Sequence, residues 1–306
     1  MAKKQGRRLD GILIMDKPSG MTSNKLLQIV KRQFAAEKAG HTGALDPMAT
    51  GVLPLCFGEA TKVSQFLLDA DKRYRARVRL GITTTTGDAE GEVTGTQAVP
   101  ELTRETLVSV LDSFRGEIEQ VPSVYSALKQ DGVPLYRLAR QGREIREKRR
   151  TITIHAIELL DWATPEFGMD VLCSKGTYVR SLAEDIGRRL GCGAHLSALR
   201  RTAAGPFTLE QSFTLEALDA LRESGGQEAL DALLIAPDAA IDGMPVQVLG
   251  AEQARALQQG QVVLLEGAGT QGLVRVYADE RFLGIGDIGA DGKLRAARLL
   301  RTDDSR

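Results

Sequence analysis

From Arg73 to Leu80 the chain alternates strictly: Arg73, Arg75, Arg77 and Arg79 interleave with Tyr74, Ala76, Val78 and Leu80. A period of two is the period of a β-strand, so this segment has one apolar face and one face carrying four guanidiniums. The arginines are expected on a solvated face, paired with acids of a neighbouring strand. From pattern alone Tyr74 reads as an ordinary core aromatic.

Further strands are expected at Gly11–Met15, Glu92–Val99, Thr151–Leu160 and Met169–Cys173, and in the segment that follows Gly193. Asp16-Lys-Pro-Ser-Gly reads as the turn that ends the first of them. Helices are expected after a Thr22 or Ser23 cap, with Leu26, Leu27, Ile29, Val30 and Phe34 inward, over Glu59–Leu68, around Leu107–Phe114, and over Thr214–Leu234. Another is expected with Thr177 as its N-cap and a stripe of Val179, Leu182, Ala183, Ile186 and Leu190. This places Tyr178 and Arg180 in the first turn, off the stripe. A cation there opposes the helix dipole and calls for an acid or an anionic ligand; Glu184, one turn on, and Asp46 are the two candidates. His195 reads as structural.

Strands and helices in this mixture make an α+β chain, and 306 residues with 42% apolar content suffice for two cores. The region Pro237–Pro245 reads as a linker. Beyond it, Leu273–Ala278 and Phe282–Ile288 form a hairpin around Ala278-Asp-Glu-Arg, with a second turn at Ala290-Asp-Gly. The division is therefore 1–244 and a small β-rich 245–306.

Lys+Arg and Asp+Glu both total 40, so only the distribution of charge can point to a polyanionic partner. Arg137–Arg150 holds seven basic residues against Glu144 and Glu147. It is either a solvated run or a basic flap on phosphates. Cys56, Cys173 and Cys192 are odd in number and lack Cys-x-x-Cys spacing, which argues against a disulfide framework and a zinc site and fits a reducing cytoplasm. The apolar run Ile12–Met15 is too short for an export signal or a membrane span.

One carboxylate stands out. Asp46 lies in Gly40-His-Thr-Gly-Ala-Leu-Asp-Pro-Met-Ala-Thr-Gly, where Gly40, Gly43 and Gly51 allow close approach and Pro47 keeps Asp46 out of a helix. Alone, the segment could equally be an Asx-type turn without chemistry.

Seven ordered blocks run through the chain: Asp16-Lys-Pro-Ser-Gly, Ala39-Gly-His-Thr-Gly-Ala-Leu-Asp-Pro, Gly58-Glu-Ala-Thr-Lys, Asp71-Lys-Arg-Tyr, Tyr125-Ser-Ala-Leu-Lys, Cys173-Ser-Lys-Gly-Thr-Tyr-Val-Arg and Gly193-Ala-His-Leu-Ser-Ala-Leu-Arg-Arg. With them the chain resembles the TruB family of tRNA pseudouridine synthases, of the bacterial stand-alone kind. The resemblance covers nearly the whole chain. Thr83-Thr-Thr-Thr-Gly-Asp-Ala-Glu-Gly fits the family less closely than the other segments.

The resemblance implies a pseudouridine synthase fold: a mixed, largely antiparallel central sheet flanked by helices, with a C-terminal PUA-like RNA-binding domain. It implies isomerisation of uridine 55 in the TΨC loop of tRNA, with base flipping and no metal or organic cofactor. Asp46 matches the essential aspartate, acting as nucleophile or as the base that starts glycal formation. Arg180 matches its ion-pair partner, Tyr74 the stacking tyrosine, and Tyr178 and Leu199 pocket residues. His41 matches a histidine inserted into the opened T loop. Lys17 and Lys62 are expected near the pocket or phosphates. The basic segment 121–150, with Lys129 and Arg143, corresponds to a flexible thumb over the RNA. The expected partner is the T-arm stem-loop of tRNA, bound by a monomer without guide RNA or membrane. A tRNA-folding chaperone acting on the same T arm, with or without catalysis, is the alternative, and a guide-dependent H/ACA-type enzyme a third reading.

Overall fold

The computed structural model describes residues 6–121, 129–134, 137–138, 141–143, 146, 149–265 and 270–301. Strand β1 (Gly11–Lys17) pairs antiparallel with β3 (Thr50–Phe57), which also receives the short β2 (Ala39–His41). Next along the chain come β4 (Lys72–Leu80), a small hairpin of β5 (Ile82–Thr84) and β6 (Val93–Thr96), and β7 (Gly116–Gln120). A second small hairpin joins β8 (Lys129–Gln130) to β9 (Val133–Pro134). The long pair β10 (Arg150–Ala163) and β11 (Glu166–Cys173) and then β12 (Ala194–Ala204) with β13 (Phe207–Thr208) complete the central sheet. Its path is β1-β3-β12-β4-β11-β10-β7; β3–β12 is its parallel pairing and the others are antiparallel, giving the mixed, largely antiparallel sheet expected.

The two ends of this sheet are covered differently, and the residue pattern says why. In β1 and β3 both faces are apolar. Leu13, Met15, Leu53, Leu55 and Phe57 pack with helix α1 (Ser23–Gln33), while Ile12, Ile14, Val52 and Cys56 enter a separate cluster on the opposite face. A strand buried on both sides reads as a continuous apolar run. That run and its Pro54 hid β3 from the sequence reading, since proline inside a run argues against a strand. In β4 the buried apolar residues are Ala76, Val78 and Leu80, against helix α4 described below; Arg73 and Arg75 reach Asp170, Arg77 reaches Asp161, and Arg77 and Arg79 reach Glu166. The four guanidiniums thus serve a solvated, acid-paired face.

Thr22 caps α1 by accepting from the Lys25 amide at 3.1 Å. The single helix expected over Glu59–Leu68 is instead a 3-10 turn, Gly58–Lys62, followed by α2 (Ser64–Asp69), the break falling at Val63. Helix α3 (Arg104–Asp112) stands where a helix was expected, beginning before Leu107 and ending short of Phe114. Helix α4 runs Val179–Arg189, and its N-cap is Tyr178 rather than Thr177. The Thr177 hydroxyl donates to Ser174 O at 2.9 Å, so it is spent on the preceding turn, and Gln120 instead holds Tyr178 by both its amide and its carbonyl. Helix α5 (Leu215–Asp231) follows, interrupted at Gly226, and packs with α1 over β1. The segment read as a linker is a 3-10 turn, Pro237–Ile241, whose Ala240 and Ile241 are buried with Ile285 of the C-terminal sheet. The physical reason is its apolar content, which a solvated linker would leave in water.

The C-terminal module is a five-stranded sheet of β14 (Val246–Leu249), β15 (Val263–Leu264), β16 (Gly272–Ala278), β17 (Arg281–Ile288) and β18 (Lys293–Leu299), with helix α6 (Ala251–Gln258) over its own core. The β16–β17 hairpin and the turn into β18 stand where the sequence reading put them.

At the parallel junction Gly51 of β3 stands opposite Arg201 of β12 with φ +103, and a Cβ there would lie 2.1 Å from the Arg201 carbonyl oxygen. Gly51→Ala is therefore expected to destabilise the fold by about 2–5 kcal/mol, from backbone strain and overpacking together. Urea unfolding should show a lower midpoint with an unchanged slope.

Candidate functional site: a clamped carboxylate at the edge of the central sheet

The residues between β2 and β3 have no regular hydrogen-bond ladder, so what holds them must come from elsewhere. Six hydrogen bonds do so. Ser23 at the start of α1 accepts from Leu45 N at 2.8 Å and donates to Leu45 O at 3.2 Å. Lys17 Nζ donates to Pro47 O at 3.1 Å, Gly20 N donates to the same carbonyl at 2.9 Å, Ser19 donates to Met48 O at 3.2 Å, and Arg201 Nη2 donates to Gly43 O at 2.9 Å. Asp46 is thus presented from a loop clamped on both sides.

Arg180, in the first turn of α4, points at it. Its Nε lies 3.0 Å from Asp46 Oδ2 and its Nη2 donates to Oδ1 at 3.4 Å, a two-pronged contact that fixes the plane of the carboxylate. The guanidinium is 5% exposed, whereas the Asp46 side chain is 40% exposed, so the pair is anchored at its cationic end and open at its acidic end. Behind Arg180, Nη1 lies 3.5 Å from Asp88 and donates to Thr86 O at 2.8 Å. Asp88 is itself buried and accepts from the Thr86 hydroxyl and from Glu90 N. One buried guanidinium therefore lies between two carboxylates, which resolves its opposition to the helix dipole.

Asp88 was not singled out by the sequence reading. The only signal was its place among Thr84, Thr86, Gly87 and Gly91, a composition shared by ordinary turns. Burial raises the Asp46 carboxyl above its ordinary value; Arg180 and Lys17 act against that rise and Asp88 adds to it.

Asp46 and Arg180 line a cleft of about 320 Å³ that also contains Tyr74, Tyr178, Leu199, Lys72 and Arg201. Tyr74 stands on the covered face of β4, and burial raises its phenol above the ordinary value, with Arg201 pulling the other way. Leu199 is 8% exposed. Tyr178 has the Arg150 guanidinium 5.7 Å from its ring centroid. Lys72 is buried, with Nζ donating to Leu67 O, Leu68 O and Ala70 O, and burial pushes it down to about 8. Neither Lys72 nor Arg201 was expected in the site. Both sit in strands whose apolar alternation gives no clue to what an interspersed cation faces.

The other expected site residues are distributed differently. Lys17 ends β1 fully buried, its Nζ on the carbonyls of Pro18, Met21 and Pro47; burial pushes it down to about 8, and its charge is felt at Asp46. It supports the loop from behind. His41 ends β2, half-buried, its Nδ1 without a hydrogen-bond partner among the described residues; burial, then the Arg201 charge, lowers it below the ordinary imidazole value. Lys62 is not brought to the cleft: Nζ donates to Glu59 at 2.5 Å and to Leu299 O at 2.7 Å, at the contact with the C-terminal module. Its place four residues into a 3-10 turn aims it there. Lys129 opens β8, and Arg143 is exposed with its amide donating to Leu138 O. Half of the 121–150 segment, including Tyr125-Ser-Ala-Leu, lies outside the described residues. His195 Nδ1 lies 2.9 Å from Ile82 O, a structural placement.

Chemically the cleft offers an oriented, partly open carboxylate with a buried counter-ion, an aromatic ring and apolar wall for a planar ligand, and cations beneath. Among the described residues no group of three His, Cys, Asp or Glu side chains could hold a metal ion, and no helix is long and apolar enough to cross a membrane.

Comparison with known proteins fits this picture. Residues 31–179 match the family described as TruB family pseudouridylate synthase (N terminal domain), residues 180–242 the tRNA pseudouridylate synthase B C-terminal domain, and residues 245–300 the C-terminal domain of pseudouridine synthase II TruB. A tRNA pseudouridine synthase B of Stutzerimonas stutzeri (strain A1501) is 52% identical over 302 residues, 98% of this chain and 99% of the relative. One of Pseudomonas aeruginosa (strain UCBPP-PA14) is 52% identical over 301 residues, 98% of this chain and 99% of its own. Among solved structures, an H/ACA RNP bound to a substrate RNA containing 2′-deoxyuridine superposes with a TM-score of 0.74 at 26% identity, covering 96% of this chain and 86% of that one. A chain of a Cbf5-Nop10-Gar1 complex gives 0.73 at 28%, covering 95% and 84%.

The charge order at the site can be read by titration. In carbon-13 NMR of labelled aspartates, the Asp46 carboxyl should titrate at higher pH in Arg180→Gln, which removes a stabilising cation, and at lower pH in Asp88→Asn, which removes a neighbouring anion.

Proposed function

The chain belongs to the TruB family of pseudouridylate synthases, and on that premise we propose that it converts uridine 55 in the T arm of tRNA to pseudouridine with Asp46 as the essential carboxylate. The chain is a tRNA pseudouridine synthase, an isomerase. The observation that carries the role of Asp46 is its two-pronged contact with the buried Arg180, which favours the ionised form, fixes the carboxylate in plane and leaves it open to the cleft.

The reaction breaks the C1′–N1 bond, turns the uracil while it is held, and joins C5 to C1′. In one route an Asp46 oxygen attacks C1′ and the C1′–N1 electron pair leaves with the base as a uracil anion. C5 of the turned base then attacks C1′ and the carboxylate departs; C5 loses its proton and N1 gains one. In the other route Asp46 removes the proton on C2′ and the base leaves with the C1′–N1 pair, giving a glycal; C5 of the turned base bonds to C1′ as the protonated carboxyl returns its proton to C2′, and C5 then loses its proton while N1 gains one. Both routes begin with ionised Asp46, so activity falls as pH drops through a carboxyl value raised by burial.

A uridine within a T loop has to leave the stack before a carboxylate can reach its C1′. Tyr74 offers a face for the flipped base, and Leu199 and Tyr178 wall it in. His41, with its imidazole held toward the neutral form, is suited to fill the gap left in the loop by stacking. The basic segment with Lys129 and Arg143 serves as a clamp on T-arm phosphates. No guide RNA is needed: the full-length relatives at 52% identity are tRNA enzymes, while the H/ACA structures share the fold at lower identity. The site of action is the cytoplasm, where tRNA is matured.

Purified Asp46→Asn should bind an unmodified T-arm stem-loop as the parent does and form no pseudouridine on mapping, whereas the parent should modify that stem-loop with no guide RNA present. Turnover by the variant would exclude Asp46 as the essential group. Restored folding of a misfolded tRNA by the same variant would reveal a separate chaperone function.

A further inference from the structure

The floor of the cleft holds a group for which the reaction as described has no use. Arg201 is 1% exposed, among the largest fully buried side chains of the described residues. It lies in the middle of β12, opposite Gly51 of β3 on one side and Tyr74 of β4 on the other. Its Nε donates to Val52 O at 2.6 Å and its Nη2 to Gly43 O at 2.9 Å. Gly43 and Val52 bracket the loop that carries Asp46, so one planar guanidinium spans the neck of that loop. Tyr74 stands directly across from it in the β12–β4 register, and the guanidinium charge acts on the Tyr74 phenol.

Burying a permanent charge on main-chain carbonyls is unfavourable compared with an apolar side chain of the same volume. The arrangement calls for something an apolar residue cannot supply. A rigid fork reaches two carbonyls at a fixed separation, which an ammonium on a flexible stem does not reproduce. Gly43 is fitted to it: at φ +75 a Cβ there would stand 3.3 Å from Arg201 Nη1.

Resting on the reading of Asp46 as the essential carboxylate, we propose that Arg201 is a positioning residue of the reaction, tying both ends of the Asp46 loop together and orienting Tyr74 so that carboxylate and ring face the same nucleotide. Arg180 fixes the carboxylate within its loop; Arg201 fixes the loop against the sheet and ties it to the stacking surface. Tyr74 is faced by Arg201 from β12, by Cys173 from β11 and by Asp46 from the loop, so the guanidinium is the neighbouring cation whose loss its phenol would report.

The test uses the full-length protein with Arg201→Gln and Arg201→Lys, measuring tRNA affinity and the single-turnover rate of pseudouridine formation separately. For Arg201→Gln the rate is expected to fall about 100-fold while affinity changes less than about threefold, the signature of lost geometry rather than lost binding. Arg201→Lys, which keeps charge and most of the volume, should fold and lie between the two. It decides the matter if the Gln variant does not fold. The chain has five tyrosines, so fluorine NMR of protein labelled with 3-fluorotyrosine, assigned with Tyr74→Phe, gives a second readout. The Tyr74 signal should titrate at higher pH in Arg201→Gln while the other four are unmoved. Parent rates in the Lys variant, a rate loss that only mirrors weaker RNA binding, or an unmoved Tyr74 signal would each overturn the proposal. Failure of the Asp46 reading is seen elsewhere, as turnover by Asp46→Asn.

Discussion

A guanidinium withdrawn from water must meet opposite charge and hydrogen-bond acceptors, and much of the site is arranged around satisfying that demand at Arg180. It is 5% exposed, with Asp46 in front, Asp88 behind and the Thr86 carbonyl at its edge. Three stretches far apart in sequence have to converge for this: the Asp46 loop, the 83–91 turn and the first turn of α4. Leaving the guanidinium out would strand the buried Asp88 carboxylate, which is far costlier than exchanging the whole group for apolar residues. The constraint therefore favours a single relative placement of loop, turn and helix.

The sheet supplies the frame within which that placement is possible. Its β1–β3 end is covered on both faces and carries α1, whose Ser23 and preceding turn grip the Asp46 loop. Its β4–β11 end is covered on one face, where α4 packs and brings Arg180, and solvated on the other, where the arginines of β4 meet Asp161, Glu166 and Asp170. The cleft lies where these two regimes meet, across β12. A loop clamped by main-chain and side-chain hydrogen bonds from both ends loses little further freedom when it meets a ligand, which is the condition for a carboxylate to act from one fixed position.

The C-terminal module is joined to this body by packing as well as by chain. Ile285 shares a buried cluster with Ala240, Ile241 and Val52, and Glu59 and Lys62 hold the end of β18 through Arg301 N and Leu299 O. Lys62, expected from the resemblance near the pocket or phosphates, thus serves with Glu59 the contact between the two sheets. A lysine's reach lets it serve any site within several ångströms of its backbone, and nothing local in the sequence chooses among them.

Local chemistry was legible from the chain itself. Strict alternation wrote β4, looser alternation β10, and turn residues the C-terminal hairpin; the Thr22 cap and apolar stripes wrote α1 and α4; and Gly43, Pro47 and Gly51 marked Asp46 as a carboxylate held outside regular structure. Ordered blocks pointed to the family. Tertiary structure decided what these periodicities cannot encode. It made a strand of the proline-containing Thr50–Phe57 by burying both its faces, and packed the expected linker as a 3-10 turn. It moved the cap of α4 to Tyr178 because Gln120, 58 residues away, holds that residue. It also chose which cations and acids meet: Asp88 behind Arg180, Arg201 across the loop neck, Lys17 beneath Pro47 and Lys62 away from the cleft. A helix or strand is set by neighbours a few residues apart, whereas the partner of a buried charge is set by which distant segments the sheet brings within hydrogen-bond reach.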